Sequence, residues 1–306
     1  MSRFRVSVPT EVLYRAIDES RHDVDLVLWD MNGPAPASSI DIVVTPYIVG
    51  YAILARLEGV STRLVQSQLN GYDGVAEILP SGIVYANAAG VHETSTAELT
   101  MALILASQRG IPDFVRAAER GQWQFQYHQS LADRRVLLVG YGGVGRAIEE
   151  RLLPFETTVV RLARHERSDP HGLVYGFDAL NVQLALADIV VVGVPLDQST
   201  QGLINDDFLG AMRDGTLLVN IARGKVADTE ALLKHASTGR LRLALDVTDP
   251  EPLPEGHPLF ALANVLISPH VGGATSAMLP RMARLLNAQI DRLVHGDEPA
   301  NVVLRT

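Results

Sequence analysis

Short runs of Val, Ile and Leu recur along the whole chain, and segments of helical period separate them. In the first hundred residues the runs fall at 4–8, 25–28, 41–44, 63–66 and 83–85. Short apolar strands alternating with helices predict a small parallel α/β domain. A long helical pattern follows over 94–107, with Leu99, Leu103 and Ala106 on one face, and is expected to connect two domains. From Arg135 onward a second series appears at 136–139, 158–162, 189–194, 216–221, 241–246 and 265–268. These runs are rich in β-branched or aliphatic residues and are separated by helical segments. That pattern marks strands of a doubly wound parallel sheet buried on both faces. A last helical pattern, 281–294, is expected to return the chain to the first domain. The predicted organisation is therefore a discontinuous first domain, 1–98 and 282–306, around a second domain, 99–281, and the chemistry argued below makes these the substrate and dinucleotide-binding domains. The segment 249–258 carries four prolines and reads as a loop between strands.

The stretch VLLVGYGGVG, 136–145, gives the second series its chemistry. A strand runs into Gly140, Gly142 and Gly145, and a helical pattern over 146–153 follows. In a GxGxxG turn the first glycine permits the tight bend. The second lets backbone amides approach a pyrophosphate, and the third lets the helix pack close to the strand. The amides at the helix start then face the anion. At the end of the next strand, where a carboxylate would receive the ribose 2′-OH of NAD, the chain has Ala163, followed by Arg164, His165 and Arg167. Nothing there repels a 2′-phosphate, and a guanidinium can grip one with two hydrogen bonds. The expectation is NADP(H) first and NAD(H) second. The competing reading makes these residues ordinary solvated cations.

Length and composition set bounds on this picture. At 306 residues, with 47% hydrophobic and 20% charged residues, the chain can build two sizeable cores. A formal charge of −9 argues against nucleic acid or an anionic membrane as partner. Absence of cysteine excludes disulfides, thiolate metal sites and cysteine nucleophiles, and no metal is expected. The charged N-terminus does not suit a signal peptide, and no apolar run reaches the length of a membrane span, so cytoplasmic residence is expected.

Three residues could carry a reaction: Arg223, Glu251 and His270. Each lies just beyond a predicted strand, where open α/β sheets bind ligands. An arginine can bind the carboxylate of a 2-oxo acid and polarise its carbonyl. His270 can give a proton to the carbonyl oxygen while hydride reaches the carbon, and Glu251 can stabilise the imidazolium form. Taken singly, each residue has an ordinary structural reading. The argument rests on their coincidence around one nucleotide-binding sheet.

With these residues in place the chain resembles the D-isomer-specific 2-hydroxyacid dehydrogenases. The matching segments, in family order, are LNGYD (69–73), ANAAGVHETSTAE (86–98), GYGGVG (140–145), PLDQSTQGLIN (195–205), VNIARGKV (219–226), ALDVTDPEPL (244–253) and SPHVGGAT (268–275). The resemblance implies a Rossmann cofactor domain plus a smaller flavodoxin-like substrate domain. It implies Arg223 as substrate clamp, Glu251 as orienting acid and His270 as acid/base. The cofactor set it implies is Thr96, Gly140, Gly142, Gly143, Val144, Gly145, Pro195, Ala222, Asp246 and Gly272, with Asp246 on the nicotinamide amide. To these the residue reading adds Arg164, His165 and Arg167. Asn70 and Gly71 would receive the substrate carboxylate beside Arg223 and His270. A homodimer built by the long helix and an arm near Trp123 is implied as well. Thr45-Pro46-Tyr47 stands where an Arg-Ser pair often occurs, which disfavours a phosphorylated substrate. The expected activity is NADP(H)-dependent glyoxylate or hydroxypyruvate reduction. NAD-dependent phosphoglycerate dehydrogenase and a nucleotide-sensing corepressor are the alternatives.

Overall fold

The computed structural model describes residues 3–17, 24–47 and 50–306. In chain order its strands are β1 (Phe4–Val8), β2 (Val24–Leu28), β3 (Ile42–Val44), β4 (Leu64–Gln66), β5 (Val84–Ala86), β6 (Arg135–Val139), β7 (Thr158–Leu162), β8 (Arg167–Asp169), β9 (Gly172–Tyr175), β10 (Ile189–Val192), β11 (Leu217–Asn220), β12 (Arg242–Leu245), β13 (Val265–Ile267) and β14 (Val302–Arg305). The helices are α1 (Glu11–Ala16), α2 (Glu93–Arg109), α3 (Ile111–Glu119), α4 (Gly143–Leu152), α5 (Leu180–Leu184), α6 (Asp206–Ala211), α7 (Thr229–Ser237) and α8 (Met278–Val294). Two compact units result, residues 1–92 with 275–306 and residues 93–274. The long helix α2 belongs wholly to the second unit. The joints expected at 98/99 and 281/282 fall inside α2 and α8. Both units are α/β.

The first unit holds one sheet of order β14-β5-β4-β3-β1-β2. Its five parallel strands run 2-1-3-4-5, the flavodoxin-like winding. The sixth strand, β14, pairs antiparallel with β5, so the sheet is mixed and not purely parallel as its first hundred residues predict. Only residues far downstream could reveal this edge. Helix α8 buries Met282, Leu286, Ile290 and Leu293 among Val6, Val8 and Leu13.

The second unit holds the sheet β13-β12-β11-β10-β6-β7-β9-β8. All neighbours are parallel except β8 and β9. Successive residues of one strand feed opposite cores. Leu137 and Val139 pack with Val190, Val192, Leu218 and Leu243. Val136 and Leu138 pack with Val191, Val219 and helix residues Met101 and Ile104. Burial on both faces is why these strands read as runs rich in aliphatic residues. The winding changes direction between β6 and β10, so a crevice opens there at the strands' carboxyl ends.

Candidate active site

The glycine turn lies in that crevice. Gly140 leaves β6 with φ of +103°, and a Cβ there would sit 2.5 Å from the carbonyl oxygen of Gly193, which follows β10. A Cβ at Gly145 would sit 2.6 Å from Gly140 O. Both positions therefore require glycine for reasons of space. Gly142 differs, because a Cβ there meets nothing within 4 Å among the described residues. It is the N-cap residue of α4 and makes no side-chain capping bond. A close, open backbone with uncapped helix amides fits an anionic pyrophosphate. Val144 enters the helix half-buried against the second core.

Beneath the turn is a buried ionic cluster that the sequence does not announce. Glu149 on α4 is 1% exposed. It accepts hydrogen bonds from Tyr141 Oη, Arg161 Nη2 and, at 2.8 Å, Arg161 Nε. Arg161 projects from β7 and also lies over the Tyr141 ring. Burial, and next the bond to Glu149, push the Tyr141 hydroxyl up to about 12. A buried carboxylate is tolerable only when paired and hydrogen-bonded. The available signal was Glu149 amid Ala147, Ile148 and Leu152, a charge on an otherwise apolar face.

The cations beyond β7 are already engaged. Arg164 donates to Asp197 Oδ2, and Arg167 Nη2 donates to Tyr141 O at 2.7 Å. Arg167 opens β8, a short antiparallel strand that the hydrophobic pattern misses because its residues are Arg, Ser and Asp. His165 lies exposed in the turn between them. Pro195 O, after β10, accepts from Thr200 Oγ1 at 2.6 Å.

Arg223, Glu251 and His270 follow β11, β12 and β13, three neighbouring strands. Glu251 and His270 meet, with Glu251 Oε1 2.5 Å from His270 Nδ1. Both side chains remain more than 40% exposed, at 42% and 45%. His270 holds a positive φ of 53°, uncommon outside glycine. The surrounding bonds impose it. His270 N donates to Asp246 O at 2.8 Å, and the buried Asp246 carboxylate accepts from Ser268 Oγ (2.7 Å), Val271 N (2.9 Å) and Gly272 N (3.0 Å). Three of its roughly four lone-pair positions are thereby used. A Cβ at Gly272 would meet Asp246 Oδ2 at 3.0 Å and Thr96 at 3.4 Å, so these three expected cofactor residues converge.

Arg223 is held in an extended conformation by Asn220, which the candidate set omits. The fully buried Asn220 accepts from Ala222 N at 3.1 Å and donates to Arg223 O at 3.4 Å. Arg223 Nη1 donates to Ala222 O at 2.7 Å. The next residue, Gly224, packs directly on Thr248 O, which ties the Arg223 turn to the loop that carries Glu251.

In the first unit Asn70 and Gly71 belong to a loop whose backbone carbonyls from residue 68 to residue 71 are engaged, while the buried Asn70 Oδ1 has no hydrogen-bond partner among the described residues. Gln68 O lies 2.7 Å from His92 Nε2, Leu69 O accepts from Ala88 N, Asn70 O from Asn87 Nδ2 and Gly71 O from Tyr51 Oη. Tyr47 stacks on His92, their ring centroids 5.9 Å apart.

Comparison with known proteins gives this geometry a family. Residues 101–272 match the model described as D-isomer specific 2-hydroxyacid dehydrogenase, NAD binding domain. A glyoxylate reductase of Thermofilum pendens is 33% identical over 252 residues, 79% of this chain and 74% of the relative. A glyoxylate reductase/hydroxypyruvate reductase of Mus musculus is 31% identical over 293 residues, 88% of each. Among solved structures, a D-isomer specific 2-hydroxyacid dehydrogenase of Xanthobacter autotrophicus in complex with NADPH and MES superposes with a TM-score of 0.82. It is 26% identical, covering 99% of this chain and 98% of that one. The chain belongs to the D-isomer-specific 2-hydroxyacid dehydrogenases and is an oxidoreductase of that family with a nicotinamide-nucleotide-binding domain.

Proposed function

We propose that this dehydrogenase reduces small, unphosphorylated 2-oxo acids, glyoxylate or hydroxypyruvate foremost, with NADP(H) preferred over NAD(H). The observation that carries the reading is the Glu251–His270 contact at 2.5 Å beside the Arg223 turn. A carboxylate facing Nδ1 selects the tautomer with hydrogen on that nitrogen, which leaves Nε2 to exchange a proton with substrate. A nicotinamide cofactor supplies the hydride when bound. The remaining work belongs to the protein. Arg223 binds the substrate carboxylate and polarises the adjacent carbonyl, Glu251 stabilises the imidazolium form of His270, and that imidazolium gives its Nε2 proton to the developing alkoxide and is left neutral. The family resemblance implies that the backbone at Asn70 and Gly71 receives a substrate carboxylate.

Cofactor roles follow the same geometry. Gly142, Gly143 and the first turn of α4 would receive the pyrophosphate. Asp246, with one lone-pair position left, would accept from the nicotinamide amide beside Thr96 and Gly272. The NADPH in the Xanthobacter neighbour and the names of the reductase relatives support the cofactor and substrate classes. Tyr47 stacked on His92 supports an unphosphorylated substrate, since neither offers the fixed cation a phosphate needs. Trp123 and Tyr127, 99% and 89% exposed, support a homodimer through this arm. Among the described residues no helix is long and apolar enough to cross a membrane, which fits action in the cytoplasm.

The test is oxidation of NADPH and NADH with a panel of 2-oxo acids, using wild type and His270→Asn. Removing a general acid lowers kcat by about a hundred- to ten-thousandfold. Cofactor affinity should survive, because the imidazole acts on the carbonyl. Wild-type kcat in the variant would take His270 out of the mechanism.

A further inference from the structure

One carboxylate outside the catalytic trio reaches the cofactor side of the crevice. Asp197 lies in the loop after β10, and Arg164 lies just after β7. These strands flank β6 on its two sides, so the Arg164–Asp197 ion pair spans the sheet edge above the glycine turn. Asp197 is built into its loop. Its Oδ1 accepts from Ser199 N at 2.8 Å and Ser199 Oγ at 2.6 Å, and its own amide donates to Thr200 Oγ1 at 2.9 Å. Oδ2 is thereby presented to Arg164. The Ser199 hydroxyl first, then the Ser199 amide and the nearby Arg164, hold the Asp197 carboxyl below the usual carboxylate range, so it is an anion at neutral pH.

The neighbouring arginines are occupied too. Arg146 Nη2 donates to Asp169 at 2.8 Å and Arg167 to Tyr141 O at 2.7 Å. A 2′-phosphate arriving at this edge therefore finds Arg164 and Arg146 paired with carboxylates, and a fixed negative charge at Asp197. A ribose 2′-hydroxyl meets no such opposition.

We propose that Asp197 is a specificity-determining residue that weakens NADP(H) relative to NAD(H), by occupying Arg164 and by repelling the 2′-phosphate. This rests on the reading above in which Arg164 grips that phosphate. It makes the enzyme a dual-cofactor reductase whose preference is narrower than its arginines alone would produce. The pair is solvated, with side chains 58% and 39% exposed, so the competition is modest and sensitive to salt.

The experiment is calorimetric titration of NADP⁺ and NAD⁺ into wild type, Asp197→Asn, Arg164→Ala and the double variant at low salt. Asparagine can keep both Ser199 bonds and lose the charge. The NAD⁺-to-NADP⁺ ratio of dissociation constants should rise about tenfold in Asp197→Asn, from an exposed pair released and one like charge removed. It should fall in Arg164→Ala, and the Asp197→Asn gain should shrink in the double variant and in 0.5 M salt, on the order of one Debye length of 4 Å. Asp197→Ser, also uncharged, should move the ratio in the same direction and guards against a folding artefact. An Asp197→Asn ratio that is unchanged or lower, with Arg164→Ala still weakening NADP⁺, overturns the proposal and leaves the Arg164 reading standing. Equal effects of Arg164→Ala on both nucleotides overturn that reading, and the proposal with it.

Discussion

Gly224→Ala is the smallest change that should disconnect the reactive residues from their scaffold. A Cβ at this position would lie 1.8 Å from Thr248 O, 2.3 Å from Thr248 C and 2.9 Å from Asp249 N. All three are backbone atoms, and ordinary contact begins near 3.4 Å. No rotamer change can relieve the overlap, so the two loops must separate by more than about an ångström. Gly224 follows Arg223, and Thr248 and Asp249 precede Glu251, so the displacement falls between the substrate clamp and the partner of His270. Overpacking of this kind costs about 1–3 kcal/mol of stability. For a unit of this size each kcal/mol lowers Tm by roughly 2–4 °C. A misplacement near 1 Å costs on the order of a hundredfold in rate. The assay pairs kcat/KM for a 2-oxo acid with thermal melting and far-UV circular dichroism. The expected enzyme is folded, melts several degrees lower and has kcat/KM down about a hundredfold. Wild-type kcat/KM together with wild-type Tm would refute the claim that this close approach positions the site.

Three further outcomes follow from the same structure. Arg223→Lys should lose activity in both KM and kcat, because an ammonium cannot make two parallel bonds to a carboxylate; steady-state kinetics matching wild type would place Arg223 outside the substrate site. Gly142→Ala should raise the nucleotide dissociation constant while leaving Tm within about a degree, since its methyl enters open space above the turn and not the protein; a large loss of Tm would contradict that geometry. Tyr141 ionises near 10 when unfolded and about 12 when folded, so its contribution to stability is full below pH 10 and is lost as pH rises toward 12. Tyr141→Phe should flatten the fall in Tm across that window and lower stability at neutral pH by about 1–3 kcal/mol, as Glu149 loses a donor; an unchanged pH profile would show that Tyr141 is not held protonated.

The apolar runs determined most of the architecture without help from contacts. Strands buried on both faces are rich in Val, Ile and Leu, so β6, β7, β10, β11, β12 and β13 were legible, and so were the ends on which Arg223, Glu251 and His270 stand. The glycine turn was legible because steric necessity at Gly140 and Gly145 admits one residue type. Elements stabilised by pairing partners instead of their own pattern were not. β8 is Arg-Ser-Asp, and it exists because β9 supplies a ladder. β14 lies antiparallel on β5 from the far end of the chain, a register that periodicity cannot encode. Polar placement was likewise a tertiary decision. Glu149 is in sequence only a charge on an otherwise apolar helix face, and it becomes a buried counter-ion once Tyr141 and Arg161 close on it. Asp197 and Arg164 are 33 residues apart, and only the switch between β6 and β10 brings them face to face. A hydrophobic pattern records what each segment must hide from water. Which charges then meet depends on the order in which strands are laid side by side.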